Sequence, residues 1–240
     1  MFALFAIAGI FLAVCQHGHV LVICDMIRSG ELMKYPLAVV NRLMDDFGPD
    51  ICLGYDIMCA FSTTLAKSSL GQKTVAFCLG GVVPAFHSHA HNRGCQVQWH
   101  PVFVDGVGLE DFKECERTFC RLNELASVTW LTMPFHHQQH IDEHLHFHDL
   151  DKNAGLGNFI FQNYHQALEK IEIDSPRLAA LSNRLRITGK DYEHYLDSEQ
   201  KYLAGLRKEP EAVQHVADYM ELLFKLDELK YFFPFQHPFL

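Results

Sequence analysis

Basic residues are scarce in this chain: Lys and Arg number 20 against 29 Asp and Glu, giving a formal net charge of −9 with histidine neutral. The bulk surface therefore lacks the electrostatic footprint that attracts a phosphate backbone, and any nucleic-acid role requires a local basic patch or a basic segment elsewhere. An apolar run of the roughly 20 residues that a bilayer span needs is also lacking. The nearest approach is "MFALFAIAGIFLAVCQHG" at residues 1–18, which has no basic residue before its apolar stretch, as a signal peptide would. A second apolar run, "HVLVICDM", follows a short polar break, so the two read as buried strands joined by a turn at "CQHG", with no membrane partner. The eight cysteines lack the short regular spacings of a secreted disulfide scaffold, which favours a reducing, intracellular compartment. Two familiar fingerprints fall short as well. "HIDEH" lacks the glutamate directly after the first histidine of a zincin helix, and "GLGNFI" lacks the third glycine of a dinucleotide-binding turn.

What is present is ample apolar content. With 49% hydrophobic residues over 240 positions, the chain can bury a sizeable core. Strand-like runs fill the first hundred residues: "GIFLAV", "HVLVICDM", "ICLGYDIMCAF" and "KTVAFCLGGVVPAF". One helix interrupts them, "YPLAVVNRLMDDFG", with Pro36 near its start, Leu37, Val40 and Leu43 or Met44 on one face, and Gly48 as its stop. This order predicts a mixed α/β layer. From Gly108 onward the periodicity is helical, through "LEDFKECERTFCRLNELASV", "LGNFIFQNYHQALEKI" and a last helix from about Glu211 bearing Val213, Val216, Met220, Leu223 and Leu226. The break near "KIEIDSPRLAAL" is a candidate boundary between a mixed domain and a helical appendage.

Three constellations bear on chemistry. In "PAFHSHAHNRGC", His87, His91 and Cys95 recur every fourth residue and would share one face of a helix, whereas on a strand His87, His89 and His91 would project together. Imidazole and thiolate suit zinc, which in structural sites takes four ligands. Cys15 or His17 at the strand turn are the most economical candidates for the fourth. A structural metal, a hydrogen-bonded polar corner and a catalytic metal all fit this pattern. The second constellation is Asp56, directly after an apolar strand, where a buried carboxylate needs compensation such as a metal and an exposed loop or cap position does not. The third is the acidic group Glu110, Asp111, Glu114 and Glu116, in which Glu116 can lie beside the stripe of Phe112 and Phe119. The histidines 136, 137, 140, 144, 146 and 148 follow no single period and carry no assigned role.

Taken in order, "GIFLAVCQHG", "DMIRSGE", "GYDIMC", "PAFHSHAHNRGCQ", "GVGLEDFKECERTFCRLNELAS", "NYHQALE" and "YLAGLRKEP" resemble the KDZ (Kyakuja, Dileera, Zisupton) transposases. The resemblance implies a ribonuclease-H-like mixed sheet with flanking helices over residues 1–130, followed by a mainly helical extension over 131–240. It implies a DDE acidic triad for DNA cleavage and strand transfer, with Asp56 as its second acid and Glu116, in the "ER" pair, as its third. Such carboxylates would hold Mg2+ or Mn2+, while His87, His91, Cys95 and Cys15 or His17 would hold a structural zinc. DNA, as transposon ends and target, is the implied partner, with oligomers possible and a nuclear location.

The family's first aspartate lies on a strand before "GIFLAVCQHG", and Asp25 is a poor substitute for it. The expectation is therefore a C-terminal portion of the catalytic region, inactive alone. "DFK" at residues 111–113 replaces the "DGE" of many relatives, so Glu114 competes with Glu116 for the third role. A zinc-stabilised binding or structural remnant is the alternative, followed by a zinc-dependent hydrolase built on the "HSHAH" histidines. The hydrolase reading fits poorly, because such barrels place an H-x-H pair on their first strand.

Overall fold

The computed structural model describes residues 6–206 together with 219, 220, 222, 223, 225 and 226. The helix expected from Glu211 lies largely outside the described residues. Contacts divide the chain into two compact units, Met1–Gly189 and Lys190–Leu240.

The first unit opens on an antiparallel hairpin. Strand β1 (Ile7–Val14) pairs with β2 (Val20–Ile27), with Phe11 opposite Cys24 and Leu12 opposite Ile23. The turn falls at "CQHG" as its composition predicts. Gly18 has φ +87°, a left-handed conformation that a side chain resists, and an added Cβ would also meet Lys152 and the Glu114 carboxylate. The two strands are half-buried rather than buried, and Leu12 is the one position with little exposure. Two paired strands cannot cover both of their own faces.

Helix α1 (Lys34–Phe47) buries Tyr35, Val39, Val40, Leu43 and Met44 and stops at Gly48, matching the sequence pattern. After it, strand β3 (Cys52–Gly54) and strand β4 (Gly80–Val82) pair in parallel. Helices α2 (Met58–Lys67) and α3 (Gly71–Ala76) lie between them. The long strands read from "ICLGYDIMCAF" and "KTVAFCLGGVVPAF" are thus three residues each plus helix. Met58, Phe61 and Leu65 are all buried in α2; their i, i+3, i+7 spacing is a helical period that the short apolar runs concealed. Together with Val40, Met44 and Val83 they form the core, against which Leu53, Tyr55, Cys59 and Trp99 pack. The mixed α/β class holds, dominated by helix, and the described strands form two two-stranded sheets.

Beyond β4 come α4 (Ala85–Ser88), α5 (Arg93–Trp99), α6 (Glu114–Leu122), the short α7 (Ala126–Thr129) and the 52-residue α8 (Pro134–Leu185). Helix α6 starts later than "LEDFKECERTFCRLNELASV" predicts. The Glu110 and Asp111 carboxylates capture the backbone N–H groups of Phe112 and Lys113 at 3.1 and 3.0 Å, a local alternative to the helical ladder. Phe112 accordingly takes φ +58°. Helix α8 runs unbroken through "KIEIDSPRLAAL", with Pro176 inside it. Helix α9 (Gly189–Gly205) opens the second unit.

Candidate metal centres and the acidic cavity

Asp56 owes its position to the end of β3. Tyr55 N–H extends the parallel ladder by donating to Val82 O at 3.1 Å, and Met58 N–H then donates to Tyr55 O at 2.9 Å, closing a turn. Asp56 sits on that turn, exposed, its Oδ1 accepting the Ile57 N–H at 2.9 Å. It incurs no burial cost, so compensation by a metal is not required for folding. Close by, Tyr55 stands edge-on to Phe11 and Phe61 and donates its hydroxyl to Glu31 Oε1 at 3.2 Å. Burial first, then the charges of Glu31 and Asp56, hold the Tyr55 hydroxyl well above its usual pKa. Glu31 therefore belongs to the same acidic neighbourhood, a residue that sequence reasoning left unassigned.

Glu116 lies in the first turn of α6, exposed, with Oε1 2.6 Å from His87 Nε2. The backbone bond from Ala85 N–H to Asp111 O at 3.1 Å ties α4 to the loop that leads into α6, which sets this pair. Glu114, its rival for the same role, is buried instead and accepts from Arg117 at 2.7 Å and Lys152 at 3.2 Å. Arg117 also holds Asp111 at 2.6 Å. Burial pushes the Asp111 carboxyl up, but the Arg117 hydrogen bond and the Lys113 N–H outweigh it and leave its pKa below the ordinary value.

His87, His91 and Cys95 do not share a helix face. His87 is in α4, His91 is in the following loop, and Cys95 is in α5. Asn92 caps α5 by accepting the Cys95 N–H at 2.9 Å, and the Gln96 amide donates to Ser88 O at 3.1 Å and His91 O at 2.8 Å. This clamp folds His91 back onto Cys95 and onto Cys59 of α2. His91 Nδ1 is 3.2 Å from Cys95 Sγ and 3.6 Å from Cys59 Sγ, and the three ligand atoms all lie within 4.8 Å of one another. A tetrahedral zinc, with about 2.3 Å to sulfur and about 2.0–2.1 Å to nitrogen, separates N and S by about 3.6 Å. The cluster fits a soft metal. Cys15 and His17, the expected source of a fourth ligand, face each other at 3.8 Å, and His17 stands edge-on to Phe159. No fourth side chain joins the cluster among the described residues.

A cavity of about 710 Å³ lies against β1 and α1, and Asp56, Glu116, His87, Glu31 and Glu110 all line it. The two carboxylates singled out in the sequence, 60 positions apart by their numbers, thus face one space.

The sequence model of the Kyakuja-Dileera-Zisupton transposases matches residues 1–149. The chain belongs to that family. No curated protein and no solved structure matches it. The candidate metal-site residues, from Cys15 to Glu116, fall within the stretch that matches the KDZ model, which ends inside α8.

In this KDZ chain two further participants escaped the sequence reading. Cys59 carried a signal in hindsight: it is one helical turn past the Asp56 turn, on a helix whose apolar residues face the core. His148, one of six histidines in an aperiodic run, is buried, with Nε2 3.0 Å from Gly18 O. No helix among the described residues is long and apolar enough to cross a membrane.

Proposed function

We propose that Asp56 and Glu116 are metal-binding acids of a ribonuclease-H-like, DDE-type DNA strand-transfer enzyme. The observation that supports this reading most is that both carboxylates line the same cavity in a chain of the transposase family. Hard carboxylate oxygens suit Mg2+ or Mn2+. Bound divalent ions supply activation of the attacking water or 3′ hydroxyl and stabilisation of the leaving oxygen. Asp56 is exposed and, among the described residues, is bonded to its neighbour's backbone alone, which leaves lone pairs on both oxygens. Glu116 is preferred to Glu114 because the two ion pairs of Glu114 already occupy its oxygens. In this reading residues 1–130 form the catalytic region, with the β1–β2 hairpin and the β3–β4 pair as parts of its sheet. Residues 131–240 extend it with helices, and transposon ends and target DNA are the substrates in the nucleus.

Cys59, His91 and Cys95 would hold a structural zinc whose fourth ligand is not among the described residues. Cys59 follows Asp56 by three residues, so the metal would fix the start of α2 against α5. A second reading, a zinc-stabilised binding or structural module without strand transfer, draws on the fact that this cluster needs neither carboxylate.

The deciding measurement is Mn2+ titration followed by electron paramagnetic resonance. Parent protein binds Mn2+, and Asp56→Asn and Glu116→Gln each weaken binding at least about tenfold while melting temperature is kept. Unchanged Mn2+ affinity in both variants would sink the acidic-site reading in favour of the module.

A further inference from the structure

Helix α8 presents two faces with different surroundings. One face docks on the hairpin and α6. Ile141 and His148 are buried, His148 Nε2 lies 3.0 Å from Gly18 O, Lys152 reaches Glu114 at 3.2 Å, and Phe159 stands edge-on to His17. If Phe161 is written as position a of a heptad, all four fall at b or f, on one side of the helix. The opposite side, at a and d, carries Phe161, Tyr164, Leu168, Ile171, Leu178 and Leu185. These six are 45–63% exposed.

The spacing of the second face points to a helix as its occupant. From Phe161 the series alternates steps of three and four residues through Ser175 and Ser182 to Leu185, and no charged residue interrupts it. A repeat of 3.5 residues keeps an apolar seam facing a second helix, whereas a lone helix drifts at 3.6. The charges stay off the seam: Lys170 and Arg177 pair with Asp174 at 3.8 and 3.4 Å. Most helical stability in proteins comes from packing an apolar face, and here that face is open to solvent. About half of the roughly 200 Å² of a large side chain is open at each position, so the six residues and their neighbours offer on the order of 800 Å². That is the share each partner contributes to a standard stable interface of about 1,600 Å².

We infer that α8 pairs with α8 of a second copy of this chain, antiparallel, across a two-fold axis beside Gln166. An antiparallel pair sets a against d. Phe161 then faces the partner's Ile171, Tyr164 the partner's Leu168, and Leu150 the partner's Ser182, which puts large against small at the end layers. A parallel pair in register would set Ala154, Gly157, Ser175 and Ser182 each against its own copy, four layers with little to pack. Moving the axis to Ile173 would bring Glu172 and Asp174 against their own copies, a like-charge clash that the axis beside Gln166 avoids. The pairing does not rest on the chemistry proposed for the acidic cavity, and it gives one particle two copies of that cavity.

Sedimentation equilibrium of the full chain, without DNA, reads the assembly directly. The parent should be a dimer at micromolar concentration. Leu168→Asp and Ile171→Asp should each weaken dimerisation at least about a hundredfold, because each change falls twice across the axis and each buried side chain is worth about tenfold or more. Both residues are exposed in the single chain, so the near-ultraviolet circular dichroism of the variants should match that of the parent. Gln162→Asp, at a b position off the seam, should leave the dimer intact. Ala167→Cys, beside the axis, should cross-link to its own copy under mild oxidation more than the parent does, since in a parallel pair the two positions lie on opposite sides of the seam. A parent that stays monomeric overturns the inference, and protection of the seam from hydrogen exchange in that monomer would assign the face to another part of the same chain. A dimer that survives both aspartate variants places the contact elsewhere and overturns it too. A dimer without the Ala167→Cys cross-link overturns the antiparallel axis.

Discussion

His87 Nε2 stands 2.6 Å from Glu116 Oε1, so the histidine donates to the carboxylate proposed to bind a divalent ion. The sequence spacing grouped His87 with His91 and Cys95. The fold separates them: a four-residue helix, a loop and a capped second helix turn His87 toward α6 and His91 toward α2. One histidine-rich segment thereby reaches both proposed metal sites, the nitrogen and sulfur cluster through His91 and the carboxylate through His87.

The contact has a measurable consequence for metal binding. A cation arriving at Glu116 competes with the His87 N–H for the same oxygen. The pair is partly exposed, with side-chain accessibilities of 34% and 42%, which limits its worth to about 1 kcal/mol. His87→Ala should therefore tighten Mn2+ binding about fivefold, the factor such an energy gives. Titration by electron paramagnetic resonance measures it, and weaker binding would make His87 a residue that positions Glu116 instead.

Zinc content distinguishes the observed ligand set from the one the spacing favours. Purified parent should carry one zinc per chain by inductively coupled plasma analysis. Cys59→Ser and Cys95→Ser should each remove it, while Cys15→Ser should keep it, because Cys15 lies outside the Cys59, His91 and Cys95 cluster. A metal that binds the folded state alone adds about 4 kcal/mol when present at a thousand times its dissociation constant. Chelation should accordingly lower the melting temperature of the parent and leave that of Cys59→Ser unmoved. Retention of zinc by Cys59→Ser would return the fourth-residue pattern of His87, His91 and Cys95 to first place.

The sequence was most legible where one element stands alone. The "CQHG" turn and the α1 face of Val40, Leu43 and Met44 need only local chemistry, a glycine at positive φ and an apolar stripe, and both lie where the pattern puts them. Short apolar runs were misread for a definite reason. Over the few residues of "DIMCAF", β-branched and aromatic content looks like strand, while the deciding period of Met58, Phe61 and Leu65 takes eight residues to show. The start of α6 was hidden because side-chain carboxylates at Glu110 and Asp111 capture backbone N–H groups, an interaction that no hydrophobic pattern registers. Asp56, Glu116, His91 and Cys95 were named from residue chemistry and family resemblance. Cys59 and Glu31 were not, since what joins them to the sites is tertiary contact across more than twenty residues of chain.

Alkaline pH offers a test of how α6 packs. Cys115, which lines the acidic cavity, has its thiol pushed up from 9.0 to about 11, by burial first and then by the neighbouring Glu116 charge. A thiol whose folded pKa is raised is protonated in the native state while the unfolded chain has already lost its proton. Between those two values the unfolded state binds fewer protons, so stability is full below pH 9 and falls as the pH rises toward 11. At pH 10 the loss from this group is about 1.4 kcal/mol, the free energy of one pKa unit. Cys24 and Cys52, raised by burial as well, add to the slope of the parent, which makes a comparison with Cys115→Ser the clean measurement. Urea unfolding at pH 8 and pH 10 should show the variant losing about 1.4 kcal/mol less than the parent over that interval. Equal losses would mean that Cys115 titrates as an exposed thiol and is not buried on α6.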